Sequence, residues 1–289
     1  MPKINKNIKK YTIVGIGEAG CNIAALFEKY SQYSVVKIGS HFKSKQKNVV
    51  LLRKSKDPED YERQEEVSKK ILDSIGENVY VFVGGGSFSS CYTLSFLEKI
   101  KNKKINVVYV RSDMLSLNST KRKIDRVVYS VLQEYTLSNL FENMYIVSNV
   151  DIQKNALSTN SVFMNYEEIN KIIFWVFYNL TYSKEANCLM NNDQDEERIP
   201  YRIKTIGFFN FENDQVEEEK WFFDIKNVEQ NEYYYFLTDS LLKNNNTFSL
   251  FLRKQLENNE EALYKIFSSL EEDRNYCIIL RGSREVQGV

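Results

Sequence analysis

The chain predicts an α/β protein: a parallel sheet covered by helices, then a central helix, then a smaller α+β unit. Three observations carry this expectation. Short β-branched runs alternate with helical stripes through the first half, two of those runs lead straight into glycine turns, and an aromatic-rich helical stretch around Ile172 divides this half from a strand-rich remainder.

Residues 11–16 read as a buried strand. Gly15, Gly17 and Gly20 follow at G-x-G-x-x-G spacing, before Ile23, Leu26, Phe27 and Tyr30 recur at helical intervals. Such a turn brings backbone N–H groups toward an anion at the positive end of a helix. Gly17, Glu18, Ala19, Gly20, Cys21 and Asn22 are therefore candidate ligands of a nucleotide phosphate. A Rossmann-type dinucleotide site would also need an acid about 20 residues further on, ending the second strand, to hold a ribose hydroxyl. Residues 34–38 form that strand, but Gly39, Ser40 and His41 follow it, and no carboxylate appears before Asp57. NAD is thereby disfavoured.

Asp57 and Pro58 begin a helix as N-cap and first-turn proline, and Val67, Ile71, Leu72 and Ile75 supply its apolar face up to Gly76. Residues 78–83 are a third strand, followed by a second glycine loop, Gly84, Gly85, Gly86, Ser87, Phe88, Ser89 and Ser90, and a helix striped by Cys91, Leu94, Leu97 and Ile100. Residues 105–110 make a fourth strand. Ile124, Val127, Val128, Val131, Leu132 and Tyr135 give the helix behind it one apolar face, and residues 144–147 a fifth strand. This alternation makes the sheet Rossmann-like, with ligand loops at the carboxyl ends of the strands.

From residue 166 to 182, Ile169, Ile172, Ile173, Val176, Phe177 and Leu180 form one stripe while Phe174, Trp175 and Tyr178 cover the other faces, so this central helix is buried nearly all round. A polar loop, residues 187–198, follows. Strands are expected at 202–211, 221–225, 233–237 and 276–280, with helical segments at 247–256 and 260–270. The tail from Arg281 shows no packing signal and is compatible with disorder. The chain thus divides into residues 1–165, 166–200 and 201–289.

Composition narrows the function. With 289 residues, 43% of them hydrophobic, the chain can bury a full core. Its 39 basic and 39 acidic residues balance, so no global field draws it to nucleic acid or anionic lipid. The longest apolar run, residues 172–178, is far shorter than the roughly 20 residues that span a bilayer. No signal-peptide pattern precedes the first strand, so a cytoplasmic protein without membrane insertion is expected. Cys21, Cys91, Cys188 and Cys277 are widely separated and His41 is the sole histidine, which leaves no zinc-type metal site and no His-based triad.

The loops together resemble those of the tubulin/FtsZ superfamily, over roughly residues 11–200, and in size and degeneracy its phage- and plasmid-borne TubZ and PhuZ types. Asn22 completes a first loop similar to G-x-G-x-x-G-x-N. Gly84 to Ser90 is similar to G-G-G-T-G-[ST]-G, with Ser87 keeping the hydroxyl and Phe88 and Ser90 replacing glycines. Residues 117–122 resemble F-E-G-K-K-R, with Asn118 in place of the ribose-binding acid and Arg122 matching. Residues 144–152 resemble a strand ending in I-P-N-D, which implies Asn149 near the nucleotide. Phe163 falls where the family packs a phenylalanine on guanine, and Glu167 or Glu168 where it reads the base.

Asn191, Asp193 and Glu196 match N-x-D-x-x-[DE], a loop that in the family enters the next subunit's site and positions the attacking water. The family continues directly with a helix, whereas Ile199 and Pro200 leave little room for one. The resemblance implies a GTP/GDP-binding, Mg2+-assisted GTPase that assembles head to tail with copies of itself, with an adaptor or cargo protein as a further partner class. A non-hydrolysing scaffold of the same fold is the alternative, and a dinucleotide-dependent enzyme the third reading.

Overall fold

In the computed structural model, residues 10–43, 47–64, 67–157, 163–192, 201–212, 215–243, 248, 250–253, 262–271 and 273–288 are described. The first half runs β1 (Tyr11–Ile16), α1 (Gly17–Leu26), β2 (Tyr33–Gly39), β3 (Val49–Leu51), α2 (Pro58–Glu62), α3 (Lys69–Asp73), β4 (Asn78–Gly84), a 3-10 turn (Phe88–Tyr92), α4 (Thr93–Lys99), β5 (Lys104–Arg111), α5 (Ser119–Leu137) and β6 (Asn143–Ser148). A short α6 (Asn149–Asp151) and a π turn (Ile152–Ala156) lead to the central helix α7 (Tyr166–Ser183). The remainder is β7 (Met190–Asn191), β8 (Ile203–Glu212), β9 (Gln215–Val216), β10 (Lys220–Trp221), β11 (Gln230–Leu237), α8 (Asp239–Lys243), β12 (Leu263–Ser268) and β13 (Asn275–Ser283).

One continuous sheet is ordered β3-β2-β1-β4-β5-β6-β8-β13-β11-β12-β7, and β9 and β10 pair on β8. Every pairing from β3 to β8 is parallel. β13 then runs antiparallel to both β8 and β11. The expected α/β class with a parallel sheet is therefore observed, and β8 carries that sheet on into the strand-rich half. Among the described residues, no helix is long and apolar enough to cross a membrane.

The parallel strands are buried on both faces, as their unbroken Val and Ile runs require. On one face α1 and α7 press Phe27, Phe82, Tyr80, Tyr145 and Phe177 into an aromatic cluster, Phe177 meeting both Phe82 and Tyr145 edge to face at 5.2 Å. On the other face α4 and α5 bury Phe96, Leu97, Val128 and Leu132 against Val81 and Val107. The end of α7 is fixed to the start of the sheet. Tyr33 and Thr181 share a 2.5 Å hydrogen bond, Tyr11 donates to Glu185 at 3.0 Å, and Lys10 pairs with Glu185.

Several elements differ from the sequence reading. The expected single helix over 58–75 is two, because Gln64 exchanges hydrogen bonds with both main-chain groups of Arg53 and turns the chain away from the helix axis. β3 is an additional edge strand of three residues, too short to leave a pattern. Residues 263–268, expected to be helical, form β12, because pairing beside β11 sends Tyr264 and Ile266 to one aromatic cluster and Phe267 to the other, a period of two rather than 3.6. The expected strand 221–225 is reduced to β10. The tail is ordered to Gly288, with β13 extending to Ser283 and Gln287 buried. On α5 the buried face is rotated from the expected one: Val127 and Tyr135 are exposed, while Asp125, Tyr129, Gln133 and Thr136 are buried beside Ile124, Val128 and Leu132.

Candidate functional site

Two glycine turns stand side by side where adjacent strands β1 and β4 end. Gly17 opens α1 with φ 76° and Gly86 follows β4 with φ 70°, left-handed backbone positions that glycine adopts most readily. The turns touch: a side chain at Gly17 would meet Ser87 Oγ at 3.0 Å, and one at Gly84 would meet the Ala19 methyl at 3.0 Å. Ile16 precedes α1 without a side-chain cap, whereas Asp57, Asn118 and Asn165 cap α2, α5 and α7. The first-turn N–H groups of α1 thus face the turn without a side-chain acceptor of their own, the state in which a helix end accepts an anion.

The other glycines serve packing. A Cβ on Gly15 would lie 2.3 Å from the Gly20 carbonyl oxygen, and one on Gly20 2.2 Å from that of Phe82, so both allow α1 to press on the sheet. Cys21 sits behind the turn, its thiol donating to the carbonyls of Gly15 and Ile38, and burial pushes its pKa up to about 12. It is a protonated packing group. Glu18 and Asn22 are exposed on the first turns of α1.

In the second loop Ser87 caps its own turn, accepting from Ser90 N–H at 3.2 Å, and Ser90 Oγ donates to the Ser87 carbonyl at 2.6 Å. Phe88 turns inward against the α4 side of the core and lies 6.0 Å from Tyr61, so it does not fill the open side of the loop. Ser89 is buried, with Oγ 3.4 Å from Ser40 Oγ at the end of β2, which in turn accepts from Tyr61 at 3.5 Å. This hydroxyl cluster escaped the sequence reading because its members come from three segments distant in sequence, the end of β2, α2 and the turn after β4.

Around this centre the other expected site residues fall into place unequally. Asn118 Oδ1 caps α5 by accepting from Lys121 N–H at 2.9 Å, and Arg122 Nε donates to the Leu117 carbonyl at 2.8 Å. Both fix the loop after β5, whose Leu117 packs against Gly86. Asn149 is buried where β6 ends. Phe163 is 86% exposed ahead of α7. Glu167 lies on the solvent face of α7 and pairs with Lys171, which lowers its pKa. Asn191 is at the far end of the chain's path through α7, paired to β12. Asp193 and Glu196 lie outside the described residues.

Beneath Gly85 is a buried group that the sequence reading passed over. Asp125 Oδ1 accepts from Tyr109 at 2.8 Å and occupies the space a Gly85 Cβ would need, 2.3 Å away. Its Oδ2 faces Arg111 at 3.8 Å without a hydrogen bond. Burial raises the Asp125 pKa, against the Tyr109 hydrogen bond and the Arg111 charge, which lower it. A signal was present: Asp125, Tyr129, Gln133 and Thr136 recur at helical spacing, a polar stripe beside the apolar one.

Fold and loop placement together define an α/β protein with paired glycine turns at the carboxyl end of a parallel sheet. More particularly, the fold is similar to that of solved FtsZ, TubZ and CetZ structures. The FtsZ dimer of M. jannaschii, in its empty form, superposes with a TM-score of 0.68 at 12% identity, covering 95% of this chain and 88% of that one. The GTPγS-form protofilament of TubZ from Bacillus thuringiensis serovar israelensis gives 0.68 at 12% identity over 94% and 88%. CetZ1 from Haloferax volcanii, a GDP-bound monomer, gives 0.69 at 16% identity over 96% and 95%. No protein-family profile and no curated protein matches the sequence.

Proposed function

We propose that this chain binds a guanine nucleotide across the carboxyl ends of β1, β4, β5 and β6 and assembles head to tail with copies of itself. The observation that supports it most is the pair of touching glycine turns, with φ 76° at Gly17 and φ 70° at Gly86, in front of the uncapped start of α1. The backbone of Gly17 to Gly20 would take one part of the phosphate chain and that of Gly86 to Ser89 the other. Asn118 and Arg122, at the start of α5, and Asn149, at the start of α6, follow β5 and β6 and would face the ribose and base. Phe163, exposed ahead of α7, and Glu167, exposed in its first turn, would close over the base.

Mg2+ would enter with the nucleotide, as this ion commonly does at phosphate sites. The bound triphosphate would supply the anhydride to be cleaved. Asn191, Asp193 and Glu196 would act on it from the neighbouring subunit, holding and orienting the water.

A scaffold that binds without hydrolysing is the second reading, and the loop itself favours it: Ser87 and Ser90 already satisfy one another where the family carries threonine and glycine. Calorimetry with GTP, GDP, ATP and NAD tests the binding step. Saturable guanine-nucleotide binding is expected. Binding of NAD without GTP would overturn the assignment.

A further inference from the structure

The segment after β13 is held by side chains that have no part in the site above. Gln287 is only 2% exposed. Its main chain is bracketed by the Gln133 amide: Gln287 N–H donates to Gln133 Oε1 at 2.7 Å, and Gln133 Nε2 donates to the Gln287 carbonyl at 3.2 Å. Its side chain repeats the pattern with Lys226, accepting from the N–H at 2.7 Å and donating to the carbonyl at 3.2 Å. Two buried amides, each matched to one peptide unit, fix the segment in a single register, because any shift leaves four buried polar groups without partners.

One residue further on, the Gly288 carbonyl accepts from Arg111 at 3.4 Å. The Arg111 guanidinium stacks over Tyr129 at 4.5 Å and near Phe223 at 5.7 Å, and faces Asp125 Oδ2 at 3.8 Å. Asp125 in turn fills the space behind Gly85. Gly85 is also pinned by the two residues that flank Arg111, donating to the Val110 carbonyl at 2.9 Å and accepting from Ser112 Oγ at 3.0 Å. A continuous path of contacts therefore joins Gly288 to the second glycine turn.

We propose that residues 284–288 form an internal latch that holds the second glycine turn in shape through Arg111 and Asp125, so that lifting the segment loosens the turn. With the latch closed, Arg111 is kept against Asp125 in a partly dry setting. With it lifted, the guanidinium loses the Gly288 carbonyl and turns to water, where its pull on the carboxylate is screened. The effect on the turn stands on these contacts alone. The effect on ligand binding rests on the nucleotide reading given above.

Amide hydrogen exchange on the ligand-free protein tests the latch. Gln287→Ala and Gln133→Ala are expected to raise exchange over residues 284–288 and, by about tenfold or more, over residues 84–90. Asn275→Ala, which removes a comparable side-chain bond to the Thr238 N–H, is the control and should leave residues 84–90 unchanged. GTP affinity of Gln287→Ala should fall in parallel. Faster exchange at 284–288 with residues 84–90 as in the wild type would overturn the latch. If Gln287→Ala does not fold, Gln287→Glu keeps the acceptor for Lys226 N–H, removes three donor contacts and is read in the same way. Should the wild type bind no GTP, the nucleotide reading fails, while the exchange comparison still decides the latch.

Discussion

Asp125 carries a carboxylate into a place where α5 otherwise meets the sheet through apolar and aromatic groups. Burial raises its pKa, so the folded state holds its proton more tightly than the unfolded chain does. The sign follows: between the ordinary value of 3.8 and the raised folded value the native state binds more protons, and stability contributed at this site falls as pH rises through that window. Asp125→Asn removes this dependence while keeping an acceptor for Tyr109. Urea melts from pH 4 to 8 should show the variant gaining on the wild type as pH rises and then levelling off; a pH-independent difference would contradict it. The glycines were legible in the sequence as a pattern, but their separate tasks were not, because those depend on what lies behind each Cα. Gly85→Val should disrupt folding by colliding with Asp125 and Tyr109. Gly17→Val is the variant aimed at the ligand, since its side chain would enter the gap toward Ser87 from a left-handed backbone. Nucleotide titration against thermal melting separates the two: Gly85→Val should lose the melting transition, and Gly17→Val should lose affinity by a larger factor than its change in stability accounts for.

The long elements were the most legible. α7 was readable end to end because, beyond the polar start that carries Glu167 and Lys171, aromatic and β-branched residues cover nearly every face, and in the structure Phe177 sits at the centre of its contact with the sheet. Phe177→Ala should cost about 3–5 kcal/mol, the usual range for deleting a buried aromatic side chain that its neighbours cannot close over. Chemical denaturation reads that loss directly, and a value under about 1 kcal/mol would mean that the cluster collapses around the gap. α5 was placed correctly along the chain but turned wrongly about its axis, since Asp125, Gln133 and Thr136 count as polar in any pattern and become buried only because Tyr109, Gln287 and the Leu132 carbonyl meet them. The same limit explains β12 and the tail. Residues 263–268 and 284–288 take their structure from partners distant in sequence, β11 for the first and α5 for the second, and no local period records such a partner.

At the scale of the whole molecule, the two ends of the central helix expose apolar side chains of the kind that an assembly buries. Leu115, 88% exposed after β5, and Phe163, 86% exposed before α7, stand on the side of the glycine turns, with Val150 and Tyr166 also exposed there. Leu189 and Met190, 48% and 53% exposed, lie beyond the opposite end of α7. Under the proposed head-to-tail assembly, these unlike surfaces at opposite ends would make a heterologous contact, the kind that propagates into a filament instead of closing on itself. Leu189→Asp combined with Met190→Asp should therefore abolish sedimentable filaments formed with a non-hydrolysable GTP analogue, while the monomer keeps its nucleotide affinity. If the loop beyond Asn191 completes the neighbour's site, the same double variant should also silence GTP turnover, because hydrolysis would require the contact it removes. Asp193→Ala separates the two effects: filaments should still form and persist longer, with turnover lower by a factor on the order of 10² or more, as when a positioned base or water-holder is deleted. Equal turnover in the Leu189, Met190 variant and the wild type would place any hydrolysis within a single chain, and filaments that form normally from that variant would remove this end of the molecule from the contact.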